Sequence, residues 1–298
     1  MRIINNFNSS DTSARRQPVL LLLIDGWAVA PAGEANGFSA AKTPTILNLI
    51  KEYPVAVLAA GAKSWNARYL SLGTGRDLED EAVATDSSLS SALSQAGWKQ
   101  VKISETERFA ALTHFFNGGG HDKLSGEDWV IISSQASPQT TSPLLAFKRA
   151  VREIIKSLEA DSASFIVASL PYLDLVAKTG DFSEVKTAIE ILDKNLKKIV
   201  ATVLAQGGIM FMAAAGGNVE HMYHPGTGLG DYDLTNNPVP FFIIGQNFKG
   251  QTIGLADPLN NDLSLLTPAG TLADLTPTIL QILNLPKPAG MTGKSLLE

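Results

Sequence analysis

An unbroken apolar run, Val19 to Ile24 in "PVLLLLIDGW", constrains this chain more than any other feature. A strand that alternates apolar and polar residues can keep one face in water. A strand that is apolar throughout must be buried on both faces, as in a parallel sheet covered by helices. The run stops at Asp25 and is too short for a membrane span or a signal-peptide core. Similar strand candidates follow at "VAVLAA" (55–60), "QVKI" (100–103), "DWVIISS" (128–134), "SFIVASL" (164–170), "IMFM" (209–212) and "VPFFIIG" (239–245).

Helical patterns separate them. Thr43 reads as a cap and Pro44 as the first helical residue of "TPTILNLIKEY". "LSSALSQAGWK" ends at Gly97, and another helix runs from Pro143 to Leu158. Asp181 and Glu184 have capping-box spacing. Val185, Ala188, Ile189, Leu192, Leu196, Ile199, Val200 and Val203 then repeat at helical spacing until Gly207. Thr276-Pro277 opens the last helix. Strands alternating with helices predict a doubly wound, three-layer αβα fold with a mostly parallel sheet.

Composition narrows the chemistry. The 298 residues include no cysteine, which excludes disulfides, thiolate nucleophiles and thiolate metal sites. A net charge of -5 without a long Lys/Arg run argues against a general nucleic-acid or anionic-membrane surface. The expectation is a cytoplasmic protein with no nucleic-acid and no membrane partner. Residues 1–17, "MRIINNFNSSDTSARRQ", are polar and aperiodic and predict a mobile arm.

One strand ends on a blank. "GIMFMAAAGGNVEHM" places Ala213, Ala214, Ala215, Gly216 and Gly217 at the carboxyl end of its apolar run. That is where α/β enzymes put functional side chains. None of these five can hold a metal, a proton or a phosphate.

The stretches "LLLIDGW", "AKTPT", "LGTGR", "AGWKQVKISETERFAALTHFFNGG", "GDF", "GGN", "NPVPF" and "LADLTPTILQILNLPKPAGMTGKSLL" are arranged as in a known family. From about residue 18 to the end, the chain resembles the cofactor-independent phosphoglycerate mutases of the alkaline phosphatase superfamily. The resemblance implies a phosphatase-like domain with two divalent metals, manganese or magnesium, and a serine that becomes phosphorylated. It also implies a transferase lobe inserted after a segment like "LGTGR". Here the connection between about 77 and 89, "DLEDEAVATDSSL", is far too short for a lobe. The expectation is therefore a single domain over 18–298 with the inserted lobe absent.

Carried over position by position, the family's first metal-binding aspartate matches Asp25. Its nucleophilic serine falls on Trp65, with Ser64 adjacent. A D-x-x-x-H pair matches Asp174 and Lys178, an Asp-His pair matches Ala215 and Gly216, and a last histidine falls on Leu234. Two of these seven positions keep a ligand residue. Two carboxylates cannot cage two ions, and phosphoryl transfer depends on the electrostatics that such ions supply. The expected cofactor is accordingly none.

The remaining residues have plainer readings. Lys178 lies four residues after Asp174 and is expected to pair with it, standing where a metal balanced charge. Arg108 matches a lysine that approaches phosphate in the family; it reads as a surface arginine able to bind an anion. His114 reads as a packing residue. His221 and His224 in "VEHMYH", with Glu220, Asp231 and Asp233, leave open a rebuilt metal site. The functional expectation is a non-catalytic homologue with a binding, assembly or regulatory role, through a protein partner or self-association. The alternative is an active phosphoglycerate mutase or phosphomonoesterase with a rebuilt site.

Overall fold

The computed structural model describes residues 17–81, 85–134, 143–160, 163–224, 226–253 and 258–297; the predicted arm, apart from Gln17, lies outside them. Among the described residues there are eight strands: β1 Val19–Ile24, β2 Val55–Ala59, β3 Gln100–Glu105, β4 Glu127–Ile132, β5 Phe165–Leu170, β6 Ile209–Ala213, β7 Val239–Ile244 and β8 Gly270–Thr271. They form one sheet in the order β4-β3-β5-β1-β6-β7-β2-β8. β1 lies inside it, parallel to β5 on one side and β6 on the other, with Leu21 level with both Val167 and Phe211. All its residues are buried, as its composition requires. β7 alone runs against the others and is antiparallel to both β6 and β2. Its apolar run foretold a strand but carries no signal for direction.

Helices flank the sheet, so the fold is the mostly parallel α/β arrangement expected. The longest, Phe182–Ala205, buries the predicted face of Val185, Ala188, Ile189, Leu192, Leu196, Ile199, Val200 and Val203. Only half of its predicted capping box forms. Asp181 Oδ1 accepts from the Ser183 and Glu184 amides, while the Asp181 amide turns to Thr179 Oγ1.

The cap expected at Thr43 is also replaced. Pro44 does open the helix Pro44–Glu52, but Thr43 makes no side-chain cap. Asp193, buried on the longest helix, accepts from the Thr45 and Ile46 amides at 3.1 and 2.9 Å. A partner 148 residues away does what the local residue does not. Among the described residues no helix is long and apolar enough to cross a membrane.

This topology positions the site. β3, β5, β1 and β6 are neighbours and mutually parallel, so their carboxyl ends share one edge of the sheet. The loops after them carry Arg108, Asp174, Asp25 and Ala215.

Candidate functional site

At that edge Asp25 and Asp174 are bridged by a guanidinium. Arg108 Nε donates to Asp25 Oδ2 at 2.7 Å, and its Nη2 donates to Asp174 Oδ2 at 2.6 Å. All three side chains are buried. The two carboxylates meet because the backbone lets them. Gly26 has φ +98°, and a Cβ there would press on the Leu173 and Asp174 backbone. Asp174 N therefore reaches Asp25 O at 3.3 Å. Only glycine tolerates both the conformation and the close approach.

Further donors reach the same pair, although Asp25 Oδ1 receives none. Tyr69 donates its hydroxyl to Asp25 Oδ2 at 3.0 Å, and Asn218 Nδ2 donates to Asp174 Oδ1 at 2.9 Å. Lys178 Nζ reaches Asp174 Oδ2 at 2.9 Å, as its spacing predicted, but its side chain is 51% exposed. The buried cation between the carboxylates is Arg108. The reading of Arg108 as a surface residue is thus corrected, since it is only 6% exposed and the anions it holds are the protein's own.

Charge states follow from this geometry. Burial works against the Arg108 cation, but the Asp25 and Asp174 carboxylates outweigh it and raise its pKa. Burial raises the Asp25 pKa despite the opposing pull of Arg108. Burial also pushes the Tyr69 hydroxyl well above its usual value, so it remains a donor.

The helix Trp65–Thr74 supplies the facing wall. Trp65, Arg68 and Tyr69 lie at i, i+3 and i+4 and project from one side. Trp65, where the resemblance placed the serine, lies over Arg108 with 4.3 Å from ring centroid to guanidinium carbon. Ser64, the adjacent hydroxyl, is committed elsewhere. It caps this helix by accepting from the Ala67 amide at 3.1 Å, and it donates to Glu81 Oε1 at 2.7 Å.

Sequence reasoning missed Arg68. It is fully buried, and its guanidinium donates to the carbonyls of Ala62, Ala215 and Thr235 and to Asn236 Oδ1. Burial lowers its pKa to about 10. A side chain at Gly216 would collide with Arg68 Nη1 and with Leu234 Cδ1. The space beside Ala215, Gly216 and Leu234 is therefore filled by arginine and leucine. The only advance sign was a charged residue on the apolar face of a helix.

All seven carried-over positions thus gather around two guanidinium groups. Asp25, Asp174, Lys178 and Trp65 surround Arg108; Ala215, Gly216 and Leu234 adjoin Arg68. These residues do not fit a cage for two ions. Asp25 Oδ1, Asn218 Oδ1 and Glu220 Oε2 are buried without a partner. They nevertheless do not belong to any converging set of three acidic or imidazole ligands among the described residues. A hard divalent ion needs several such donors.

The five alternative ligand residues separate. Glu220 turns to Thr235 Oγ1 and Asn237 Nδ2, and Asp233 is exposed. His221, His224 and Asp231 do converge, with ligand atoms all within 4.8 Å of one another. His114 stacks on His121 with ring centroids 4.4 Å apart.

A profile described as the metalloenzyme superfamily matches residues 17–287. The 2,3-bisphosphoglycerate-independent phosphoglycerate mutase of Clostridium botulinum is 36% identical over 214 residues, which cover 72% of this chain and 39% of that protein. The chain spans about two fifths of the length of the curated relatives it matches. A Leishmania mexicana phosphoglycerate mutase solved at low cobalt concentration superposes with a TM-score of 0.56 at 23% identity, over 68% of this chain and 38% of that one. A magnesium-bound TAB5 alkaline phosphatase variant superposes with a TM-score of 0.58 at 10% identity, over 91% of this chain and 99% of that one. At these identities the solved structures establish the fold.

The matches overturn the expectation of no cofactor. The profile is that of a metalloenzyme superfamily, and one group of metal-capable side chains converges, although not at the positions where the resemblance placed the ligands.

Proposed function

Since the chain belongs to the metalloenzyme superfamily and is phosphoglycerate-mutase-like, we propose that it is a non-catalytic member whose family site is held closed by arginine. Its role is binding, assembly or regulation in the cytoplasm, through a protein partner or a second copy of the chain. The observation that carries this reading is the Arg108 guanidinium joining Asp25 to Asp174 beneath Trp65. Phosphoryl transfer needs a nucleophile and positive charge directed at the transferred group. Here the nucleophile position is an indole, and the positive charge is directed at the protein's own carboxylates. The short connection between 77 and 89, in place of an inserted lobe, agrees with this reading.

The test is turnover. Purified protein with manganese added is assayed on 2- and 3-phosphoglycerate and on a generic phosphomonoester, beside Asp25→Ala as a control for contaminants. The proposal expects equal background from both proteins. Turnover that Asp25→Ala abolishes would refute it. A second reading, a phosphomonoesterase with a rebuilt site, draws on the convergence of His221, His224 and Asp231. Phosphomonoester turnover that survives Asp25→Ala and disappears in His224→Ala would favour that reading.

A further inference from the structure

We infer that His221, His224 and Asp231 form a site for one divalent transition-metal ion of the zinc, cobalt or nickel type, separate from the Asp25–Asp174 pocket. His221 Nδ1 and His224 Nε2 each stand 3.2 Å from the same oxygen, Asp231 Oδ2. Metal–ligand bonds of about 2.0–2.1 Å at tetrahedral angles put neighbouring donor atoms about 3.3 Å apart, so two edges of the coordination figure already have the right length. The third edge is no longer than 4.8 Å. It closes by a small rotation of the His224 side chain, which is 55% exposed.

The backbone prepares this arrangement. Tyr223 and Gly230 form an antiparallel bridge, and Asp231 N donates to Met222 O at 3.1 Å. His224 N donates to Leu229 O, and the Thr227 and Gly228 amides turn back to His224 O. His221 N is held by Asn218 O at 3.0 Å. The bridge therefore brings Asp231 beside two histidines that precede it by ten and seven residues. The other carboxylate oxygen, Asp231 Oδ1, accepts from the Asp233 amide at 3.3 Å, which orients Oδ2 toward both rings.

The donor set selects the ion. Two imidazoles with one carboxylate oxygen suit zinc, cobalt, nickel or copper, whereas magnesium, calcium and manganese favour oxygen-rich shells. Partial exposure of all three side chains leaves the remaining coordination positions open to water or to an exogenous donor. This inference does not depend on the proposed function, because it uses none of the residues around Arg108.

The experiment strips the full chain with chelator and titrates it with cobalt(II) alone, following the visible ligand-field bands, and with zinc alone by calorimetry. The expected result is one ion per chain. His224→Ala and Asp231→Asn should each weaken binding by at least the roughly 10–100-fold that loss of even an outer-shell partner costs. Nitrogen chemical shifts should move at His221 Nδ1 and His224 Nε2 when zinc is added. His224 is exposed, so its variant retains the fold, which a thermal melt verifies. Failure to bind either ion would overturn the inference. So would binding that these substitutions leave unchanged, or nitrogen shifts confined to His114 and His121.

Discussion

Arg108 and Arg68 divide the carboxyl edge of the sheet between them, and they are held by opposite means. Arg108 sits between two carboxylates, which raise its pKa against the cost of burial. Arg68 has neutral partners, three backbone carbonyls and an amide oxygen, and burial takes its pKa down to about 10. The first is part of an ionic network; the second is a cation solvated by dipoles. The contrast teaches that one sheet edge can bury two guanidinium groups by different means. Beside Asp25 and Asp174 a cation balances two carboxylates. Beside Ala215, Gly216 and Leu234, where no acidic side chain stands, shape and backbone hydrogen bonds suffice.

The comparison is broken most severely at Arg108. Arg108→Met strands Asp25 and leaves Asp174 only the half-exposed Lys178 as counter-ion, and losing one partner of such a buried network costs about 3–5 kcal/mol. The loss should fall at the top of that range, read as a lowered urea midpoint. Arg108→Lys should recover little, because an ammonium lacks the planar fork that reaches two carboxylates at once. Adding Asp174→Asn to Arg108→Met should restore part of the stability. Strictly additive effects would mean that the bridge is not a coupled unit.

Arg68→Met breaks no direct ion pair but leaves the carbonyls of Ala62, Ala215 and Thr235 without this donor. Buried groups left unsatisfied cost about 1–3 kcal/mol each, less where another donor moves in, so a loss of about 3 kcal/mol is expected in the same melt. A loss equal to that of Arg108→Met would erase the distinction between the two arginines.

Glu105 sharpens the comparison as a carboxylate that found no cation. It lies three residues before Arg108, fully buried and in no ion pair, and burial lifts its pKa to about 7 against the weaker opposing pull of Ser134 and Arg108. Because the folded-state pKa is raised, the folded chain retains a proton that the unfolded chain releases. The stability from this group is complete below the unfolded value of about 4.5 and is lost as pH rises through about 7. Glu105→Gln should remove that dependence and raise stability at pH 8 by about 2–3 kcal/mol relative to the parent. Parallel pH–stability curves for parent and variant would contradict it.

The smallest effect belongs to Lys178. Its ammonium is half exposed, and Asp174 retains Arg108 and Asn218 without it. Lys178→Met should therefore cost about 0–1 kcal/mol, as exposed ion pairs do. A loss comparable to that of Arg108→Met would make Lys178 the principal counter-ion after all.

Much of this was legible in the sequence, and the rest was hidden for identifiable reasons. The all-apolar runs marked β1, β6 and β7, because a segment with no polar face has to be buried on both sides, whereas the two-residue β8 carries no such signal. The direction of β7 was not readable, since an apolar run looks the same from either end. That Ala213 to Gly217 carry no ligand group could be read, because side-chain identity is a local fact. What packs against them and against the two aspartates could not. Arg108 is 83 residues from Asp25 and 66 from Asp174, and no spacing rule links them. The same holds for the Asp193 cap and for Lys102, which is buried on β3 against Glu127 at 3.1 Å. The histidine pair and three nearby acidic residues were readable, but which of the three meets the pair was decided by the bridge from Tyr223 to Gly230.

The central claim is that a guanidinium occupies the place between Asp25 and Asp174. Crystals grown with manganese and measured at the manganese absorption edge test it most directly, because anomalous scattering locates the ion irrespective of any activity. The account predicts no anomalous peak between the two carboxylates and Arg108 density bridging them. A manganese peak coordinated by Asp25 and Asp174, with Arg108 turned away, would contradict it.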